Sequence, residues 1–492
     1  MVLGVLVFSL TPIVIDNTIL NVALPEMQRS LQSSQSEQEW IVNAYALTFA
    51  SFLVLWGVVA DRFGRRRTLL AGTFGFGVAS VAAAFGSTAE WVIACRALMG
   101  ITGAAVLPAT LAIITEVFPR EEQAKAIGVW AAYSGVAVAA GPITGGLLVH
   151  ASGWDAVFLV NAPMAVVSLV AIKLAVPESR ATRAVPIDVA GLGLLLCGLG
   201  FLVYGIILGG QRARWNEFEV WGTAVGGLAL LALFVWHARR TAHPALDLRL
   251  FRIPSFGISS LVLALNFCVL FSALFLMTYY LQAVRHEGPV ATGSILLPVA
   301  VALLVISPFS VRWAQRFGTR RVCTVGFLLV AVACLSALAV GATTPMWGVA
   351  AILFVAGGGI ATVFVPATGA MMQTLPADEA GTGSAASNAV RQIGGALGLA
   401  LSGCVLAVSY RGSLEHGVVA TFPMEARNAA TDSISGALAV AADPRLVPTV
   451  ANRLLAEAEA AFISAMHATF AGLAVVAVVG ATIAARWLRD PA

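Results

Sequence analysis

The sequence predicts an all-α integral membrane protein: two six-helix bundles with two extra helices between them, fourteen spans in all. Three observations predict it. The 492 residues are 59% hydrophobic and only 11% charged, whereas soluble domains run near a quarter charged. The apolar runs are continuous and about 20 residues long, the length a helix needs to cross roughly 30 Å of hydrocarbon. Two segments of the chain also recur at nearly one offset, as duplicated halves would.

Charge this sparse cannot cover a soluble protein of this size, so most of the surface must face lipid. There every backbone amide must be paired internally, which leaves helices or a closed barrel. Barrel strands alternate apolar and polar residues, and these runs do not. Reading the runs between charged or turn-rich breaks places spans near 2–24, 40–60, 68–86, 91–115, 126–149, 155–175, 189–209, 220–237, 257–282, 292–311, 322–341, 347–371, 387–409 and 462–487. The first run opens at Val2 with no basic residue ahead of it, and so many spans follow that it reads as span 1 rather than a cleaved signal. With the N-terminus in the cytoplasm, 19 Lys and Arg fall on cytoplasmic loops and the C-terminal tail and 8 on outer loops. Both termini are therefore expected to be cytoplasmic.

ADRFGRRR (Ala60–Arg67) recurs as AQRFGTRR (Ala314–Arg321), an offset of 254 residues. GITGAAVLPAT (Gly100–Thr110) recurs loosely as GGIATVFVPAT (Gly358–Thr368), an offset of 258. Both matches shift the chain by eight helices, where two six-helix halves alone would shift it by six. Residues 1–180 are thus expected to form the first half, 181–255 two inserted spans with their loops, and 256–492 the second half. A long outer loop at 410–461 has two segments, 424–442 and 446–461, that suit short helices; it reads as a surface hairpin without a transport role.

The net charge of +4 is small, and the arginines sit in short loops, so no nucleic-acid partner is implied. The six cysteines fall inside apolar runs, unspaced for a metal knuckle or a disulfide framework, and read as packing residues. The histidines are scattered, and no metal site or cofactor is expected. There is no nucleotide loop or nucleophile–base pair, and the soluble segments are too short for a catalytic domain, so an enzyme is not expected. A channel would need a filter loop or a ring-forming repeat. Transport is the function class left open.

Several motifs, in this order along the chain, resemble the major facilitator superfamily, specifically its fourteen-span drug:proton antiporter family. They are DNTILNVALP (Asp16–Pro25) in span 1, GVVADRFGRRR (Gly57–Arg67) between spans 2 and 3, RALMG (Arg96–Gly100) in span 4, GVAVAAGPITGG (Gly135–Gly146) in span 5 and GTGSAASNAVRQIGGALG (Gly381–Gly398) at span 13. WDAVFLVNAP (Trp154–Pro163) departs from the family pattern, with Asp155 where an arginine usually follows the tryptophan. The resemblance implies a monomeric carrier in the cell membrane that exports a small amphipathic substrate, drug or antibiotic, in exchange for protons, with the proton gradient as its energy source. A carrier dedicated to one metabolite is the alternative.

Asp16 lies among apolar residues about 20 Å along span 1, at 1.5 Å per residue. A carboxylate at that depth is costly unless paired, hydrated or protonated, conditions that suit a proton carrier. It is the one carboxylate expected deep in a span; Glu90, Glu116 and Glu379 read as edge or loop residues. With a single buried negative charge, neutral or monocationic substrates are expected to be preferred over dications. Arg96 cannot discharge itself and is the natural counter-charge, unless it snorkels to the outer interface; the resemblance implies that it couples proton movement to conformation. Asp61 with Arg62, Arg65, Arg66 and Arg67 would form a cytoplasmic gate, with Gly57 allowing close approach and Gly64 a tight turn. In span 5, Gly135 opens the motif, Gly141 and Gly145 make a small-xxx-small face, and Pro142 and Gly146 complete a tight helix between the halves. Polar and aromatic residues deep in spans, Asn21, Asn43, Tyr45, Tyr133, Asn266, Tyr279 and Gln282, are candidate substrate contacts. Arg391 is another, or an interfacial arginine. Trp40, Trp91 and Trp347 read as interface anchors.

Overall fold

The computed structural model describes residues 2–180, 188–212, 217–242, 244, 246–374, 380–443 and 446–488; side chains are not described at further positions inside helices, most of them between 120 and 139. Every regular element among them is helical. In chain order these are α1 (Val2–Leu31), α2 (Gln35–Phe63), α3 (Arg65–Ala84), α4 (Ala89–Gly103), α5 (Val106–Val117), α6 (Arg120–Ser152), α7 (Ala156–Leu159), α8 (Asn161–Ala175), α9 (Val189–Arg212), α10 (Phe218–Arg240), α11 (Pro254–Tyr279), α12 (Pro289–Phe317), α13 (Thr319–Ser336), α14 (Met346–Gln373), α15 (Ala380–Leu414), α16 (Met424–Asp432), α17 (Ile434–Ala441) and α18 (Pro448–Trp487). Among the described residues, twelve helical stretches are long and apolar enough to cross a membrane. α2 and α6 are not among those twelve; they are helices of 29 and 33 residues.

The chain reverses where its sequence permits. Gly64, between α2 and α3, has φ +117°, and Gly318, between α12 and α13, has φ +88°. These are the glycines of the two RFG repeats, and a positive φ is open to glycine at no steric cost. α2 begins with a capping box. Ser34 Oγ accepts from the Glu37 amide at 3.3 Å, and Glu37 Oε2 accepts from the Ser34 amide at 2.7 Å. With its first donors satisfied, the helix starts at Gln35 rather than at Trp40, the first residue of the apolar run.

α9 and α10 form a hairpin of their own. α9 packs on α2 and α15, whereas α10 packs chiefly on α9 and leaves Phe218, Trp221, Val225, Leu228 and Trp236 exposed. His237 Nε2 and Asp188 Oδ1, 2.8 Å apart, tie the pair at the end where the arginine-rich loops lie. The largest contacts between the first and second parts of the chain run along α6 with α12 and α2 with α15. Trp91 and Trp347 are 53% and 78% exposed at helix ends, as interface anchors are. Trp40 is half-buried, with its ring 6.2 Å from that of Tyr204 of α9.

The 410–461 segment is more ordered than a loop. Residues 446–461 are not a separate short helix; from Pro448 they are the first turns of α18, which is 40 residues long. α16 and α17 form a short helical hairpin docked over the ends of α1 and α2. Gln28 Nε2 donates to Ser433 Oγ at 3.2 Å, and the Gln35 amide donates to Asp432 Oδ2 at 3.3 Å. We call this the hairpin end of the molecule and the opposite one the arginine end.

Candidate functional site

Asp16 and Arg96 meet. α1 carries the aspartate and α4 the arginine, and Arg96 Nη1 lies 2.5 Å from Asp16 Oδ2 with both side chains at most 2% exposed. The guanidinium has no route to either interface. Its Nε donates to the Ile41 carbonyl of α2 at 3.0 Å, and its plane lies 4.2 Å from the Tyr45 ring centroid. The snorkelling alternative for Arg96 is therefore excluded. Asn161 of α8 adds a second polar contact to the Asp16 carboxylate. One pair thus draws on α1, α2, α4 and α8.

A cavity of about 20 Å³ adjoins this pair, lined by Asn21, Asn43, Tyr45 and Arg96 from the first part of the chain and Phe271 and Gln392 from the second. That volume holds about one water. Three of the candidate substrate contacts therefore line one space between the first and second parts of the chain. The others are engaged elsewhere. Tyr133 and Thr11 hydroxyls are 2.8 Å apart, Asn266 Nδ2 donates to the Ile360 carbonyl at 3.2 Å, and Gln282 Nε2 donates to the Val22 carbonyl at 2.9 Å. Tyr279 is buried against Phe275. Arg391 is not interfacial: it bonds Asn388 and lies between the Phe267 and Phe364 rings, 5.2 Å from each centroid.

α6 is held on two faces by its small residues. A Cβ on Gly141 would lie 1.8 Å from Thr18 Oγ1, and one on Gly145 would lie 2.8 Å from the Ile19 carbonyl oxygen, so these two glycines seat α6 on α1. On the other face, a Cβ on Gly146 would lie 2.6 Å from the Pro289 oxygen, and one on Gly293 of α12 would lie 2.2 Å from the Pro142 oxygen. The motif therefore makes a seam between the two parts of the chain. Gly135 lies outside the positions whose surroundings are described.

At the arginine end, the side chain of Asp61 lies outside those described. The arginines around it find other acids. Arg65 Nη1 reaches Glu116 Oε2 at 3.2 Å and the Ala112 carbonyl at 3.1 Å. Glu178 accepts from the Arg66 amide at 3.1 Å and lies 3.9 Å and 3.7 Å from the Nε atoms of Arg66 and Arg67. Glu178 packs against Gly64, where a Cβ would lie 2.7 Å from its Oε1. It thus caps the start of α3, where the helix dipole favours an anion. Arg62 is exposed above the Phe63 ring. Gly57 is not pressed: a Cβ there would meet Pro108 at 3.8 Å, an ordinary contact.

Asp16 is not the one buried carboxylate. Glu39 of α2 is 2% exposed near the hairpin end, outside the lining of the cavity beside Arg96. Sequence reading missed Glu39 because it stands one residue outside the apolar run. The signal was the Ser34–Glu37 capping pattern, which carries the helix past the run.

Comparison with known proteins agrees with this architecture. The family model described as Major Facilitator Superfamily matches residues 6–399. The multidrug efflux pump LfrA of Mycolicibacterium smegmatis is 34% identical over 486 residues, covering 97% of this chain and 95% of its own. The methyl viologen resistance protein SmvA of Salmonella typhimurium is 33% identical over 467 residues, covering 94% of this chain and 92% of its own. In fold, the chain is similar to a bacterial homolog of the human lysosomal transporter Spinster, with TM-score 0.70 at 16% identity over 100% of this chain and 98% of that one.

Proposed function

The chain belongs to the Major Facilitator Superfamily, and we propose that it is a proton-coupled secondary transporter that exports amphipathic drugs or antibiotics across the cytoplasmic membrane. The observation that carries this reading is the buried Asp16–Arg96 pair beside a cavity between the halves. When Asp16 is ionised the two charges satisfy each other. A proton on Asp16 removes the counter-charge and leaves Arg96 buried with the Ile41 carbonyl and the Tyr45 ring. A buried charge stripped of its partner is costly, so α1, α2 and α4 have reason to repack. Protonation and conformation are linked in this way. The relatives named for multidrug efflux and methyl viologen resistance support the substrate class.

The membrane-level reading completes the picture. We count α2 and α6, helices of 29 and 33 residues, as spans beside the twelve apolar stretches, for fourteen in all. Residues 1–180 and 256–492 are the two halves, 181–255 holds the inserted pair α9–α10, and both termini are cytoplasmic. The hairpin end then faces outward. The halves press together there along α6–α12, and the cavity beside Asp16 and Arg96, with room for about one water, cannot hold a drug at that place. Binding of a drug beside this pair would require the halves to part, and Asp61 with Arg62, Arg65 and Arg66 would govern the cytoplasmic side.

Proteoliposomes with an imposed pH gradient and ethidium as a monocationic probe test the reading. Asp16→Asn keeps the shape of the side chain and removes its titration. Gradient-driven ethidium transport by the wild type should be lost in this variant, while the protein still inserts. Normal gradient-driven transport by Asp16→Asn would contradict the proposal.

A further inference from the structure

Glu39 has no part in the site described above, and its surroundings are unusual. It lies on α2 near the hairpin end, buried where α2 meets α15. The seam is shaped around its carboxylate: a Cβ on Gly403 of α15 would lie 2.0 Å from Glu39 Oε1. No lysine, arginine or histidine among the described residues comes within ion-pair distance of it, and its Oε2 accepts no hydrogen bond from them. Asn43, one turn further along α2, is fully buried with both amide atoms unpaired, and it lines the cavity beside Arg96. Tyr279 of α11 is also buried with its hydroxyl unpaired. Polar side chains from both halves thus converge from the hairpin end toward the cavity.

The groups facing Glu39 do not supply a counter-charge. Tyr279 on α11, Cys404 on α15 and Asp432 on α16 interact with it electrostatically, and each is neutral or acidic. Gln35, on the preceding turn, adds an uncharged contact. On the other elements packed against α2, Arg96 of α4 is committed to Asp16, and Tyr204 of α9 lies against Trp40. Arg391 of α15 belongs to Asn388. An ionised carboxylate sealed in such a seam is strongly disfavoured. It would be hydrated again were the halves to part at the hairpin end.

We propose that Glu39 is a second proton-binding site, loaded from the hairpin side, and that its protonation permits the two halves to close there. The inference rests on the proton-coupled reading of the protein, with Asp16 as the first site. The proton comes from solvent when the seam is open and stays on the carboxyl group when Gly403 seals against it.

Electron–electron resonance distances across the seam test this. Spin labels on Arg29→Cys of α1 and Ser413→Cys of α15, with Cys197→Ser to remove an exposed thiol, report closure in the purified full-length protein. The wild type should favour the short distance at acidic pH and shift to a longer one as pH rises. Glu39→Gln should hold the short distance throughout, and Glu39→Asp should restore a pH response. An unshifted wild type, or a Glu39→Gln variant that keeps the wild-type response, would overturn the inference. In the second case, ethidium transport driven by a pH gradient in the same wild-type preparation leaves the functional reading intact. A wild type without gradient-driven transport would remove the functional reading and this inference with it.

Discussion

Arg96 and Asp16 show how much one residue's position depends on another. Neither touches an interface, so each is tolerated in the core because the other is there. Removing one partner of a buried pair typically costs about 3–5 kcal/mol, because the survivor stays buried and unpaired. Arg96→Ala should therefore lower stability by roughly that amount, read as thermal unfolding in detergent. The double variant Asp16→Asn with Arg96→Gln should cost less than the sum of the two singles, since it leaves no orphan charge. Additive losses would contradict a direct pair. Asp16 was legible in the sequence because a carboxylate in the middle of an apolar run has few structural uses. Its partner could be guessed from type alone, since an arginine inside a span must find an anion, carbonyls or water. Glu39 was not legible by hydropathy, because polar residues precede it and the apolar run begins one residue later.

At the scale of elements, α6 is the clearest case of sequence dictating packing. Its glycines hold it between α1 and α12 at backbone-contact distance. Gly146→Ala and Gly293→Ala each place a methyl against a backbone carbonyl that cannot move aside alone. Overpacking of this kind costs about 1–3 kcal/mol, so both variants should lower the unfolding temperature and loosen the seam. Alanine variants as stable as the wild type would mean the seam is plastic. The α16–α17 hairpin makes a different prediction. Asp432 is pushed above the usual carboxylate range by burial, although the Gln35 amide and Arg411 pull the other way. The docked state therefore holds the proton more tightly than the undocked one. The contribution of Asp432 to docking is present at acidic pH and is lost as pH rises through the raised value. Limited proteolysis of residues 424–441 should speed up with rising pH in the wild type, and Asp432→Asn should flatten that dependence. A pH-independent wild type would contradict this. The helical hairpin was partly legible, as helix-forming stretches in 424–442. The continuity of α18 was not, because its first turns are polar enough to read as loop and only the apolar run after them reads as span.

At the scale of the whole molecule, repetition was the clearest signal in the sequence. Two short matches at nearly one offset implied duplicated halves with two helices between them. Gly64 and Gly318 turn the chain alike in the two repeats, and α9–α10 form a separate hairpin against α2 and α15. What repetition could not supply is which acids meet which arginines. Arg65, Arg66 and Arg67 engage Glu116 and Glu178, far from them in sequence, and such pairings follow from tertiary packing alone. The proposed coupling makes solute and proton movements two directions of one cycle. Coupling of that kind is reciprocal, so a solute gradient must move protons when no pH gradient is imposed. The direct measurement is the internal pH of proteoliposomes loaded with ethidium and diluted into dye-free buffer of equal pH. Ethidium efflux through the wild type should acidify the lumen, and Asp16→Asn should abolish the acidification. Wild-type efflux with no change in internal pH would contradict it.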